Sequence, residues 1–164
     1  MQKNLYFTED ITEFLLLLFK HKVKYLIVGG EAVLFHGHSR LTGDIDIFYE
    51  NSDENINKLF NILLEFWNNE IPGIKEKSEL KEPGIIIQFG LPPNRIDLMN
   101  QIEGVDFSEA FNNKIIINTL LNNQNAEIYY IGLKELIKNK KAMGRPKDID
   151  DLQYLQKLSN DKTL

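Results

Sequence analysis

The chain has 164 residues and a mass of 19.1 kDa, with 43% hydrophobic and 26% charged residues and a formal net charge of −5. That composition fits one folded domain spanning 1–164 and excludes general disorder, because aromatic and branched aliphatic residues are plentiful. Its longest apolar run, 14–19, is six residues long and cannot span a bilayer, which needs about 20. With no cysteine, disulfides and thiolate chemistry are excluded. Glu9 and Asp10 precede the first apolar stretch, which is wrong for a secretory signal, so a cytoplasmic protein without a membrane partner is expected.

In chain order, Thr8 followed by Glu9 and Asp10 predicts a helix start leading into Ile11, Phe14, Leu15 and Leu18. A short buried strand is expected over 25–28, stopping at Gly29-Gly30, and a short helix over 31–35 with Gly37 as its stop. The next strand is 45–49. Ser52 then caps a helix whose Ile56, Leu59, Phe60, Leu63, Leu64 and Trp67 keep helical spacing. Residues 69–83 read as a loop. Strands over 85–87 and 95–99 are joined by the breaker run 90–94. A helical turn over 107–111 and strands over 114–117 and 127–131 follow, with the Asn pairs 112–113 and 122–123 as loop residues. Two helices, 133–143 and 146–158, close the chain. The expected class is α/β (α+β), a mixed sheet with flanking helices.

Asp44-Ile45-Asp46-Ile47 carries the chemistry. Side chains alternate along a strand, so the isoleucines can face the core while Asp44 and Asp46 face together toward whatever covers the sheet. Two carboxylates this close repel, and one protonates unless a cation sits between them. Such a pair suits Mg²⁺; the bland reading is two solvated aspartates. Ile96-Asp97-Leu98 repeats the pattern, and pairing of the two strands would bring Asp97 into a three-carboxylate site. Gly29-Gly30 follows a strand and opens a helix, a geometry suited to phosphate and to amide contacts.

Charge is unevenly spread. Residues 134–147 carry a local +5, from Lys134, Lys138, Lys140, Lys141, Arg145 and Lys147 against Glu135, leaving −10 elsewhere. Lys140 shares the apolar face of its helix with Leu133, Leu136 and Ile137; it either snorkels outward or meets an anion. Bulk charge gives no reason to expect non-specific nucleic-acid binding. His36 and His38 lack a third convergent ligand and are expected to be structural, and Glu31 to act at its helix start.

Gly29-Gly30, thirteen further residues, Asp44-Ile45-Asp46 and a later strand aspartate, Asp97, resemble the nucleotidyltransferase superfamily built on the DNA polymerase β palm. The string Gly29-Gly30-Glu31-Ala32, His36-Gly37, Arg40, Thr42 and Asp44-Ile45-Asp46 is similar to its small stand-alone bacterial branch, near the abortive-infection (AbiEii-type) nucleotidyltransferase toxins. So are 136–140 with Ala142, the segment 144–148, and Asp151. The resemblance implies a nucleotidyltransferase-like fold and transfer from a nucleoside triphosphate to an acceptor hydroxyl on RNA or protein, in a toxin-like role. It implies Mg²⁺ (or Mn²⁺) on Asp44 and Asp46, with Asp97 as third carboxylate. Gly29, Gly30, Lys140, Arg145 and Lys147 would hold the triphosphate, and Asp148 and Asp151 would orient those cations. The family's lysine falls on Lys140 or Lys147. Many superfamily members carry Gly-Ser where this chain has Gly29-Gly30, so phosphate contacts would come from backbone amides. A cognate antitoxin or a second copy of the chain is a candidate partner, and a non-catalytic binding or antitoxin-like module of the same fold is the alternative.

Overall fold

The computed structural model describes residues 5–162. Its frame is a six-stranded mixed sheet in the order β3-β4-β2-β1-β6-β5. The strands are β1 (Tyr25–Val28), β2 (Asp44–Tyr49), β3 (Ile86–Phe89), β4 (Arg95–Met99), β5 (Ile115–Leu121) and β6 (Gln124–Tyr130). The helices are α1 (Glu9–Lys20), α2 (Gly29–Phe35), α3 (Asp53–Phe66), α4 (Phe107–Asn112), α5 (Leu133–Met143) and α6 (Pro146–Asp161). The expected α+β class and the paired C-terminal helices are both present.

Two pairings set up the site. β1 runs antiparallel to β2, with Val28 opposite Asp46. β2 runs parallel to β4, with Asp44 opposite Arg95 and Asp46 opposite Asp97. Ile45, Ile47, Ile96 and Leu98, the alternate residues, are buried. Burying four branched aliphatic side chains holds this register, because a one-residue slip would exchange them with carboxylates.

Buried polar groups pin the helices to the sheet. Asn55, in the first turn of α3, accepts from the Lys24 amide at 2.7 Å and donates to the Lys24 and Glu50 carbonyls at 3.0 and 2.9 Å. Ser52 caps α3 as expected, accepting from the Asn55 amide. Tyr130 stacks on Phe35 at 4.0 Å and donates its hydroxyl to Glu31, fastening α2 to β6. Glu31 is thereby occupied by a buried phenol, and burial raises its pKa.

Some boundaries differ from expectation. Thr8 stands at the N-cap of α1, but its hydroxyl makes no cap bond. α2 begins at Gly29, two residues early. The loop 69–83 contains a 3₁₀ turn, Lys77–Lys81, that buries Leu80. β5 and β6 are longer than read, because Asn122 and Asn123, both at positive φ, make the two-residue turn of a hairpin in which Leu121 pairs with Gln124. No helix among the described residues is long and apolar enough to cross a membrane.

Candidate active site

Register and alternation place Asp44, Asp46, Arg95 and Asp97 on one face at the centre of the sheet. Each of the three carboxylates offers an oxygen within 4.8 Å of the others. A cation already stands among them. Arg95 Nε lies 3.0 Å from Asp97 Oδ1, its Nη2 donates to Asp97 Oδ2 at 3.1 Å, and the same Nη2 bridges to Asp44. Gln88 on β3 donates to Asp97 at 3.3 Å, and the Thr42 hydroxyl donates to the Asp44 carbonyl at 3.0 Å.

Asp46 is left outside the Arg95 bridge. Burial first, then the charges of Asp44 and Asp97, push its carboxyl up to about 7, against the pull of Lys147 and Arg95. Burial also raises Asp97, although its bonds from Arg95 oppose the shift. The cost of holding charge here, from burial first and from neighbouring carboxylates second, is therefore concentrated where a further cation would relieve it.

Gly29 is required at its position for two reasons. Its φ is +63°, and a Cβ there would fall 1.9 Å from Asp46 Oδ2. The bare backbone lets the Asp46 carboxylate pack against the start of α2. Gly29 and Gly30, with the three aspartates, line a cavity of about 570 Å³.

Lys140, Arg145 and Lys147 line the same cavity, from α5 and the start of α6. Lys140 does not snorkel: its side chain is 2% exposed, with Nζ 3.1 Å from Asp148 and 3.0 Å from Asp151. The anion it meets is internal. Arg145 closes over Asp148 from the outside, with Nε at 2.6 Å, and bonds from Arg145 and Lys140 outweigh burial to hold the Asp148 carboxyl at about 2. Arg40, from the loop before β2, brackets Asp151 at 2.9 and 3.1 Å. Among the described residues Lys147 forms no ion pair within 4 Å, and its charge acts on Asp46.

The ten residues singled out from the sequence thus converge: eight line the cavity, and Asp148 and Asp151 lie buried behind its cationic wall. His36 bonds the Ile131 carbonyl and His38 stacks on Tyr154, away from the triad. Two residues carried no assigned role. Arg95 precedes Asp97 by two on the same strand, so alternation alone puts it on the carboxylate face. Arg40 had no local signal beyond its place in the resemblance.

No curated protein matches the chain. Among solved structures, an antigenic nucleotidyltransferase-like protein from Paracoccidioides brasiliensis is similar in fold, with a TM-score of 0.50 and 15% identity. The match covers 90% of this chain and 74% of that one. A family pattern described as nucleotidyltransferase of unknown function (DUF6036) covers residues 7–161, and the chain belongs to that family.

Proposed function

We propose that the protein is a metal-dependent nucleotidyltransferase that moves a nucleotidyl group from a nucleoside triphosphate to a hydroxyl on RNA or protein. In this reading it acts in a toxin-like role close to the AbiEii-type enzymes. One observation carries the reading: three carboxylates and a cationic wall share one cavity of about 570 Å³, within the usual range for small-molecule sites.

The donor set fits a hard divalent cation, since it is all oxygen, anionic and converging within 4.8 Å. Asp44, Asp46 and Asp97 would hold Mg²⁺ or Mn²⁺. Bound there, the ion would neutralise phosphate charge and ease deprotonation of the acceptor hydroxyl. Asp97, backed by Gln88 and Arg95, would orient that hydroxyl and take its proton. Lys147 and Arg145 would meet the phosphates, with Lys140 adding charge from behind. Gly29 and Gly30 would let the phosphate chain approach the backbone. Little covalent work falls to the side chains; placement and charge carry the reaction.

A second reading, a binding module without catalysis, is favoured by Arg95, whose guanidinium bridges two of the three carboxylates. One experiment separates the two. Each of the four nucleoside triphosphates, α-labelled, is incubated with Mg²⁺ or Mn²⁺ and candidate RNA and protein acceptors, using wild type and Asp46→Asn. Wild type should label an acceptor and release pyrophosphate, and Asp46→Asn should lose at least about a hundredfold in rate. Nucleotide binding without transfer to any acceptor supports the module, and binding of none overturns both.

A further inference from the structure

Gly30 has no side chain, yet the space in front of it is filled with polar groups. A Cβ at position 30 would lie 3.0 Å from Thr42 Oγ1 and 3.2 Å from Arg40 Nη2. Both residues come from the loop before β2, and both line the cavity. A hydroxyl and a guanidinium therefore converge over a bare stretch of backbone at the cavity floor.

Arg40 is anchored from behind. Its Nη2 donates to Asp151 Oδ2 at 3.1 Å, and its Nε lies 2.9 Å from Asp151 Oδ1. Asp151 is almost wholly buried and also receives Lys140 at 3.0 Å, so one carboxylate serves two cations. Among the described residues, the ion pairs that Arg40, Lys140 and Arg145 form within 4 Å are all with Asp148 and Asp151, the latter also 3.9 Å from His38, which leaves at least one positive charge in excess. Both carboxylates are enclosed, while the Arg40 and Arg145 side chains are 27% and 48% exposed. The excess is therefore presented outward. Arg40 Nη1 is engaged only by a 3.5 Å contact to the Leu41 carbonyl, leaving N–H donors for a further acceptor.

We propose that Arg40 is a direct ligand of the triphosphate chain, its Nη1 edge donating to phosphate oxygens in the space over Gly30. This assignment rests on the nucleotidyl-transfer reading. It supplies, from residue 40 of the same chain, a positive charge beside the bare Gly29-Gly30 backbone. Guanidinium suits the task because its planar fork can hold Asp151 on one edge and phosphate on another.

Magnesium tripolyphosphate tests the assignment without requiring the base or acceptor to be known. Its affinity is measured by calorimetry on wild type, Arg40→Gln and Arg40→Lys, beside Mn²⁺ affinity in the absence of phosphate and the urea midpoint of each free protein. Arg40→Gln should weaken tripolyphosphate by about tenfold or more while Mn²⁺ affinity stays within about twofold. Arg40→Lys, which can keep an ion pair with Asp151, should fold as wild type and still bind tripolyphosphate more weakly, because ammonium cannot serve both edges. Wild-type affinity in either folded variant overturns the assignment and leaves Arg40 a staple. If wild type binds neither tripolyphosphate nor any nucleoside triphosphate, the nucleotidyl-transfer reading falls first.

Discussion

Asp46 is the residue whose charge state the site controls most strongly. Its carboxyl is raised to about 7 from an ordinary value of 3.8 by burial and by Asp44 and Asp97. Between those two values the folded chain holds a proton that the unfolded chain has lost. This group's contribution to stability is therefore greatest at low pH and falls as pH rises through about 4 to 7. A divalent cation would replace that proton. Mn²⁺ affinity should accordingly rise about tenfold per pH unit up to about pH 7 and level off above it, and Asp46→Asn should flatten the profile. Titrations from pH 5 to 8 check this; a flat wild-type profile would remove Asp46 from the metal site. Lys140 is a residue of a different kind. Removing its charge leaves Asp148 and Asp151 buried with Arg145 and Arg40 as remaining partners. Lys140→Ala should cost about 3 kcal/mol in urea denaturation. A loss under about 1 kcal/mol would mean that the arginines alone neutralise the pair.

Among the elements, the junction of β1 and α2 has the least tolerance. Position 29 combines a φ of +63° with a gap too small for a methyl group beside Asp46. Gly29→Ala should cost about 1–2 kcal/mol from backbone conformation. It should also push the Asp46 carboxylate aside and lower Mn²⁺ affinity at least about tenfold, with an unchanged far-UV spectrum. Retained affinity would show that β2 can shift to accommodate the methyl. α5 and α6 are joined through the buried Lys140–Asp148–Asp151 cluster, and α5 also reaches the 100–106 loop through Asn139, which donates to the Glu103 carbonyl at 2.9 Å. The wall of the cavity is thus built by helix packing, whereas its floor is built by strand register.

For the whole molecule, the carboxylates and the cationic wall line one cavity, and on the proposed function neither a metal nor a triphosphate alone would satisfy both. A triphosphate without metal would meet the aspartates, and a metal without triphosphate would have to compete with Arg95. Mg²⁺ and a nucleoside triphosphate together should raise unfolding free energy by about 2.7 kcal/mol at a hundredfold excess over Kd, with much smaller effects from either alone. Urea midpoints in the four combinations measure this, and equal stabilisation by nucleotide without metal would contradict a shared site.

Much of this organisation is local and therefore legible in the chain itself. Alternation puts Asp44 and Asp46 on one face, helical spacing marks α3, and Pro146 and Gly144 bound the C-terminal helices. These depend on neighbours a few residues apart. The non-local part is legible only as a condition, that Asp97 joins Asp44 and Asp46 if their strands pair, and the fold decides it. The parallel register that seats Asp97 beside Asp46 joins residues 51 positions apart and depends on which strands bury their aliphatic sides together. The bridging role of Arg95 across two strands depends on the same register. Lys140 illustrates the limit: its place on an apolar face allows either a snorkelling stem or a meeting with an anion, and folding α6 back onto α5 decides for the second, with Asp148 and Asp151 as that anion. Hydrophobic periodicity sets what each segment buries; pairing and charge compensation follow only once the segments are packed.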